Sequence, residues 1–133
     1  MRNFDNDIIK VITEFENITG TEVRDCICSE TVYFLLNLGK IAMTIGKDGH
    51  NIKAAEKMLG KQIKVFEWAE DSEQFIRNMI PQAQKIDLNG DKATVIVDVE
   101  DRGAVIGRKG NNIKVIREFL TRNSSVKELK VLP

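Results

Sequence analysis

Apolar positions repeat at helical spacing near the start of the chain. Phe4, Ile8, Val11, Ile12 and Phe15 share one face and Gly20 supplies a stop, so residues 4 to 18 are predicted as an amphipathic helix. The pattern then turns strand-like. Val23 to Cys28 and residues 31 to 38 are rich in β-forming residues and are separated by Ser29-Glu30, which predicts a hairpin whose second strand is apolar enough to be central. Past Gly39, residues 40 to 45 read as a short helix and Gly46 to Gly49 as a loop. His50 to Leu59 follow as a helix with Ile52, Ala55 and Leu59 inward, and residues 62 to 66 as a closing strand.

The same order then recurs. Asp71 or Ser72 can cap a helix carrying Phe75, Ile76, Met79 and Ile80 that ends near Pro81. Asn89-Gly90 lies between strand-like residues 85 to 88 and 93 to 99, and predicts a hairpin turn because both positions tolerate positive φ. A short helix over residues 101 to 106, a loop from Gly107 to Gly110, a helix through Leu120 with Ile113, Ile116 and Leu120 inward, and a strand over residues 127 to 131 complete the series. Both halves therefore read α-β-β-α-α-β, an α+β protein of two small domains, residues 1 to 67 and 68 to 133. Residues 65 to 71 contain neither glycine nor proline, so a rigid join is expected.

The repeat is visible in the residues themselves. Ile45-Gly46-Lys47-Asp48-Gly49-His50-Asn51-Ile52-Lys53 returns 61 residues later as Ile106-Gly107-Arg108-Lys109-Gly110-Asn111-Asn112-Ile113-Lys114, and seven of fifteen positions agree between residues 45 to 59 and 106 to 120. Two glycines with a basic residue between them, followed by an amphipathic helix, form a loop whose backbone can approach a phosphodiester chain more closely than a Cβ would permit. A helix starting at the loop adds unpaired N–H groups and a positive dipole end. Lys47, Arg108 and Lys109 supply charge, whereas Asp48 places an acid where phosphate would pass; the second loop is the stronger candidate.

Net charge qualifies this picture and then supports it. The formal charge is +0, unlike the basic balance usual for nucleic-acid binders. By segment, residues 1 to 30 sum to −4 and residues 65 to 101 to −6, while residues 39 to 64 sum to +4 and residues 102 to 130 to +6. Positive charge thus gathers on the two repeated segments.

Other classes fit poorly. No apolar run approaches the roughly 18 residues of a membrane span, and Met1-Arg2-Asn3-Phe4-Asp5 lacks the apolar core of a secretory signal, so a cytoplasmic protein is expected. Cys26 and Cys28 alternate along a strand and share a face, too close in sequence for a useful disulfide loop, and the single His50 leaves a zinc site short of ligands. His50 has no carboxylate beyond Asp48 to orient it, and the chain carries neither a phosphate-binding Gly-x-x-x-x-Gly-Lys-Ser/Thr motif nor Gly-x-Gly-x-x-Gly. Neither catalysis nor a cofactor is expected.

The Ile-Gly-x-x-Gly-x-x-Ile signature between two helices resembles the KH fold, and a helix and strand placed before that core resemble its type II arrangement. The duplication, with Trp68-Ala69-Glu70-Asp71 and Phe75 at the junction, resembles the tandem KH pair of the NusA family of transcription factors, in the short form found in archaea. The bacterial members carry a polymerase-binding domain and an S1 domain before the pair, and this chain is expected to have neither. The resemblance implies two three-stranded sheets, each with helices on one face. It also implies that each loop clamps about four nucleotides of single-stranded RNA, with bases against a groove between helix and strand. Ile45 and Ile106 would pack beneath the loops and Ile52 and Ile113 would line the groove floors. Asn51 and Asn112 would meet backbone or base, and Asn111, Lys53 and Lys114 would join the surface. A monomer acting on nascent RNA in elongation or termination, with RNA polymerase as a further partner, is what the family implies. A KH pair in ribosome assembly or RNA processing would present the same loops, and a purely architectural repeat would bind no RNA. The loop reading also predicts that Asp at both Gly107 and Gly110 abolishes most RNA binding while leaving the thermal melt near that of the parent.

Overall fold

A computed structural model describes residues 6 to 133; Phe4 and the reading of residues 1 to 5 as lacking a secretory-signal core lie outside the described residues. The chain divides into two compact units, Met1–Glu67 and Trp68–Pro133.

In the first unit, α1 (Asn6–Thr19) leads to β1 (Val23–Cys28), β2 (Thr31–Leu36), α2 (Ile41–Ile45), α3 (His50–Leu59) and β3 (Gln62–Glu67). Gly20 ends α1 as expected, at φ +70 with its N–H on the Glu16 carbonyl at 2.8 Å. The sheet order is β1-β2-β3, antiparallel then parallel, with β2 central. That position explains its continuous apolar run, since Val32 to Leu36 are all buried. Val32, Phe34 and Leu36 meet Phe15 of α1 and Ala55 of α3, and the Phe15 and Phe34 rings stack at 3.8 Å. The Cys26 and Cys28 sulfurs lie 3.9 Å apart on one face and are free thiols.

β2 stops two residues earlier than predicted. Its parallel partner β3 ends at Glu67, opposite Leu36, and the Glu67 carboxylate accepts the N–H of Gly39 at 2.9 Å. The chain therefore turns away and Leu38 is exposed.

The second unit repeats the order with α4 (Ser72–Met79), β4 (Lys85–Asn89), β5 (Lys92–Ile96), α5 (Val99–Ile106), α6 (Asn111–Asn123) and β6 (Glu128–Leu132). Its sheet runs β4-β5-β6, again antiparallel then parallel. Asp71, not Ser72, caps α4 by accepting the Gln74 N–H at 3.0 Å. Phe75, Ile76, Ile116, Phe119, Leu120 and Val95 form its buried interior. Trp68 is tied to this unit by its indole N–H, which donates to the Asn123 carbonyl at 3.0 Å.

Among the boundaries that differ from the sequence pattern, two have a clear physical cause. The hairpin turn is Gly90-Asp91, because Asn89 pairs with Lys92, and only Gly90 has positive φ. Asp91 is held by its carbonyl, which accepts the N–H groups of Lys127 and Glu128 where the parallel ladder to β6 begins. Val99, read as strand, opens α5 instead: Asp98 caps it in extended conformation with the Asp101 N–H on its carbonyl at 3.0 Å, and the apolar Val99 side chain is 77% exposed. Alternation of apolar residues continued past the last paired position, so the pattern concealed the break.

Candidate nucleic-acid interface

Both repeated segments fold alike. In each, a short helix ends at a glycine of positive φ, a single 3₁₀ turn follows, and a second glycine in the left-handed region opens the long helix. Gly46 (φ 78, ψ 173) matches Gly107 (φ 80, ψ 173), and Gly49 (φ 74, ψ 16) matches Gly110 (φ 71, ψ 14). The turn uses the N–H groups of Gly49 and His50, or Gly110 and Asn111, on carbonyls two and one positions before the second residue of the turn. No side chain caps α3 or α6 at the N-terminus. Each helix therefore presents its positive end at the loop surface.

The two glycines of each loop are required for different reasons. A Cβ on Gly107 would stand 2.5 Å from Asn112 Cβ and 2.9 Å from its main-chain nitrogen, and one on Gly46 would stand 2.9 Å from the Asn51 carboxamide. The first glycine faces inward, against the asparagine. A Cβ on Gly110 meets nothing within 4 Å, and one on Gly49 only the Lys53 side chain at 3.6 Å. The second glycine faces open space and is glycine because of its φ.

This corrects one expectation from the loop reading. Asp at Gly110 should fold at a cost of about 1 kcal/mol for the left-handed backbone. Asp at Gly107 must displace Asn112 and its backbone, on the order of 2 kcal/mol or more. A double replacement cannot leave the melting temperature unchanged.

Asn51 and Asn112, expected at backbone or base, are braces. Asn51 Nδ2 donates to the Met43 carbonyl at 3.1 Å and Asn112 Nδ2 to the Val105 carbonyl at 2.9 Å. Each thus satisfies a carbonyl at the end of the preceding short helix, left without an intrahelical donor, and Asn112 does so while buried. Their common distance from the first glycine in both repeats was the available signal.

The apolar positions are not equivalent between units. Ile45 and Ile106 are half-buried where α2 and α5 end. Ile52 is half-buried against the first core, whereas Ile113 is only 4% exposed and belongs to the interior of its unit rather than to an open groove floor.

Charge separates the loops further. Lys47, Asp48, Arg108 and Lys109 are all exposed, as are His50, Lys53 and Lys114, while Asn111 is half-buried. Asp48 and Lys109 occupy the same position of their turns, both at φ 56. Aspartate visits that region more readily than lysine. In the first unit the Lys53 ammonium is drawn onto the Asp48 carbonyl at 3.1 Å; its counterpart Lys114 makes no such bond among the described residues. The second loop therefore carries three outward cations and no acid, and the first carries Lys47 beside Asp48.

Two α-β-β-α-α-β units, each with a mixed three-stranded sheet and a glycine loop between its last two helices, define a protein of two tandem KH domains in the type II order. The relatives agree. The chain is 36% identical over 133 residues to the probable transcription termination protein NusA of Methanococcus vannielii, covering 95% of this chain and 76% of that protein. It is 31% identical over 125 residues to the probable transcription termination protein NusA of Methanocaldococcus jannaschii, covering 89% of this chain and 68% of that protein. The crystal structure of APE1850 superposes with a TM-score of 0.73 at 28% identity, over 93% of this chain and 96% of that one. No protein-family model matches the chain. The chain belongs to the NusA family.

Proposed function

We propose that this protein binds single-stranded RNA through its Gly-x-x-Gly loops, the second more tightly than the first, and acts in transcription termination or elongation as part of a transcription complex with RNA polymerase. It is a binding protein and not a catalyst in this reading. The observation that carries it is the loop Gly107-Arg108-Lys109-Gly110. Lys109 is held in a left-handed conformation that its side chain disfavours, with its charge outward beside Arg108 and with open space over Gly110. Backbone strain kept at an exposed cationic position supports a contact surface there. The names of the relatives support the place of that contact in transcription.

The test is Gly110→Asp, which adds an acid at the open face without a clash. Fluorescence anisotropy with a short unstructured RNA should show binding lost by at least about tenfold, the scale of one charge-assisted contact to phosphate, while the melting temperature falls only slightly. Retained affinity removes the loop from the interface. Crosslinking in cells, followed by sequencing of the captured RNA, then separates nascent transcripts from ribosomal precursors, and the latter would move the protein to ribosome assembly.

A further inference from the structure

Cys26 and Cys28 stand at alternate positions of β1, so their side chains leave the same face of the strand, with the sulfurs 3.9 Å apart. That face meets the first core. Cys26 is 2% exposed and belongs to the interior with Phe15, Val32 and Phe34, whereas Cys28 is half-buried at its margin. Packing alone does not call for sulfur at either place. Cys26 pairs with Phe34 and Cys28 with Val32; at the equivalent positions, 61 residues later, Val95 pairs with Ile86 and Ala93 with Leu88. The second unit therefore fills both places with aliphatic side chains.

The spacing disfavours a disulfide. Alternate strand residues stand about 6.7 Å apart, and a disulfide needs its Cβ atoms about 3.8 Å apart, so closing one would draw Cys28 out of its pairing with Val32. A single ion held between the sulfurs needs no such movement. With metal–thiolate bonds of about 2.3 Å, two sulfurs on one ion stand up to about 4.6 Å apart, and the observed 3.9 Å lies inside that span. Among the described residues no group of three or more His, Cys, Asp or Glu side chains is placed to hold a metal, so the pair must satisfy its ion alone. That excludes structural zinc, which takes four ligands. A soft ion satisfied by two thiolates fits.

We infer that Cys26 and Cys28 form a two-coordinate site for a soft monovalent cation, copper(I) in a cell. Both thiols give up their protons as the ion binds, which leaves a bis-thiolate with one net negative charge and releases two protons, with no change of oxidation state. The Lys61 ammonium, on the carbonyl of Ser29 at 2.9 Å, brings positive charge one residue beyond Cys28. β1 is an edge strand, so the ion enters past the half-buried Cys28, and Ile8, Val11 and Ile12 of α1 give the site an apolar wall that limits water around it.

The test is an anaerobic titration of the whole chain with copper(I) against a chromophoric copper(I) chelator, with thermal melts run with and without the ion. The parent should hold one copper per chain and melt at a higher temperature with it, because an ion bound by the folded state stabilises that state. Cys28→Ser changes the half-buried sulfur, and Cys26→Val keeps an aliphatic side chain in the interior. Each should lose at least about a hundredfold in affinity, the share of one ligand in a structural metal site, together with the rise in melting temperature. X-ray absorption should count two sulfur neighbours at the bound copper. A parent that yields its copper to the chelator as readily as Cys28→Ser overturns the site. So does one copper shared between two chains, and so does a parent melting temperature that fails to rise, which would place the ion on the thiols of the unfolded chain.

Discussion

Residue by residue, the loops show how one glycine motif meets two demands. Gly107 is needed because Asn112 fills the space its side chain would take, and Gly110 because the chain turns through the left-handed region beneath open solvent. The spacing made both glycines legible in the sequence, but not their division of labour, which depends on where a Cβ would point. Lys109 carries the sharper consequence. A lysine at φ 56 costs about 1 kcal/mol relative to glycine there. Lys109→Gly should therefore raise the stability of the second unit by a few tenths to about 1 kcal/mol in denaturant melts, net of glycine's greater freedom when unfolded, while RNA affinity falls. A variant that binds as well as the parent would show Lys109 to be strained for no functional reason.

At the scale of elements, the type and order of every helix and strand followed from periodicity, whereas boundaries were lost wherever a tertiary partner set them. β2 ends where β3 ends, and the turn at Gly90-Asp91 is placed by the bonds from Lys127 and Glu128 to the Asp91 carbonyl. A single-sequence pattern contains neither fact. Because Asn89 is a paired strand residue and Gly90 alone has positive φ, Gly90→Ala should destabilise the protein by about 1 kcal/mol, whereas Asn89→Thr should be neutral or slightly stabilising. Thermal melts of the two variants check this directly. A larger loss at Asn89 than at Gly90 would restore the Asn-Gly turn that the sequence suggested.

For the whole molecule, zero net charge conceals an arrangement in which the two glycine-loop segments, at +4 and +6, alternate with segments of −4 and −6. Such a chain has little long-range pull on nucleic acid, so its electrostatic affinity must come from the few cations at the contact, screened over a Debye length of about 8 Å at physiological salt. Counterion release counts those cations. Each phosphate neutralised on a single strand contributes about 0.7 to the slope of log affinity against log salt. Replacing Arg108 and Lys109 together by alanine should lower that slope by up to about 1.4. Lys47→Ala should lower it by no more than about 0.7, since Asp48 beside it already opposes a phosphate. The sequence suggests this ranking through Asp48 and the doubly basic Arg108-Lys109 pair, and Lys53, drawn back onto the Asp48 carbonyl in the first unit, adds a reason that only the folded loop supplies. Equal slope changes for the two variants would mean that both loops hold phosphate alike, and the asymmetry between the units would then lie elsewhere than in their charge.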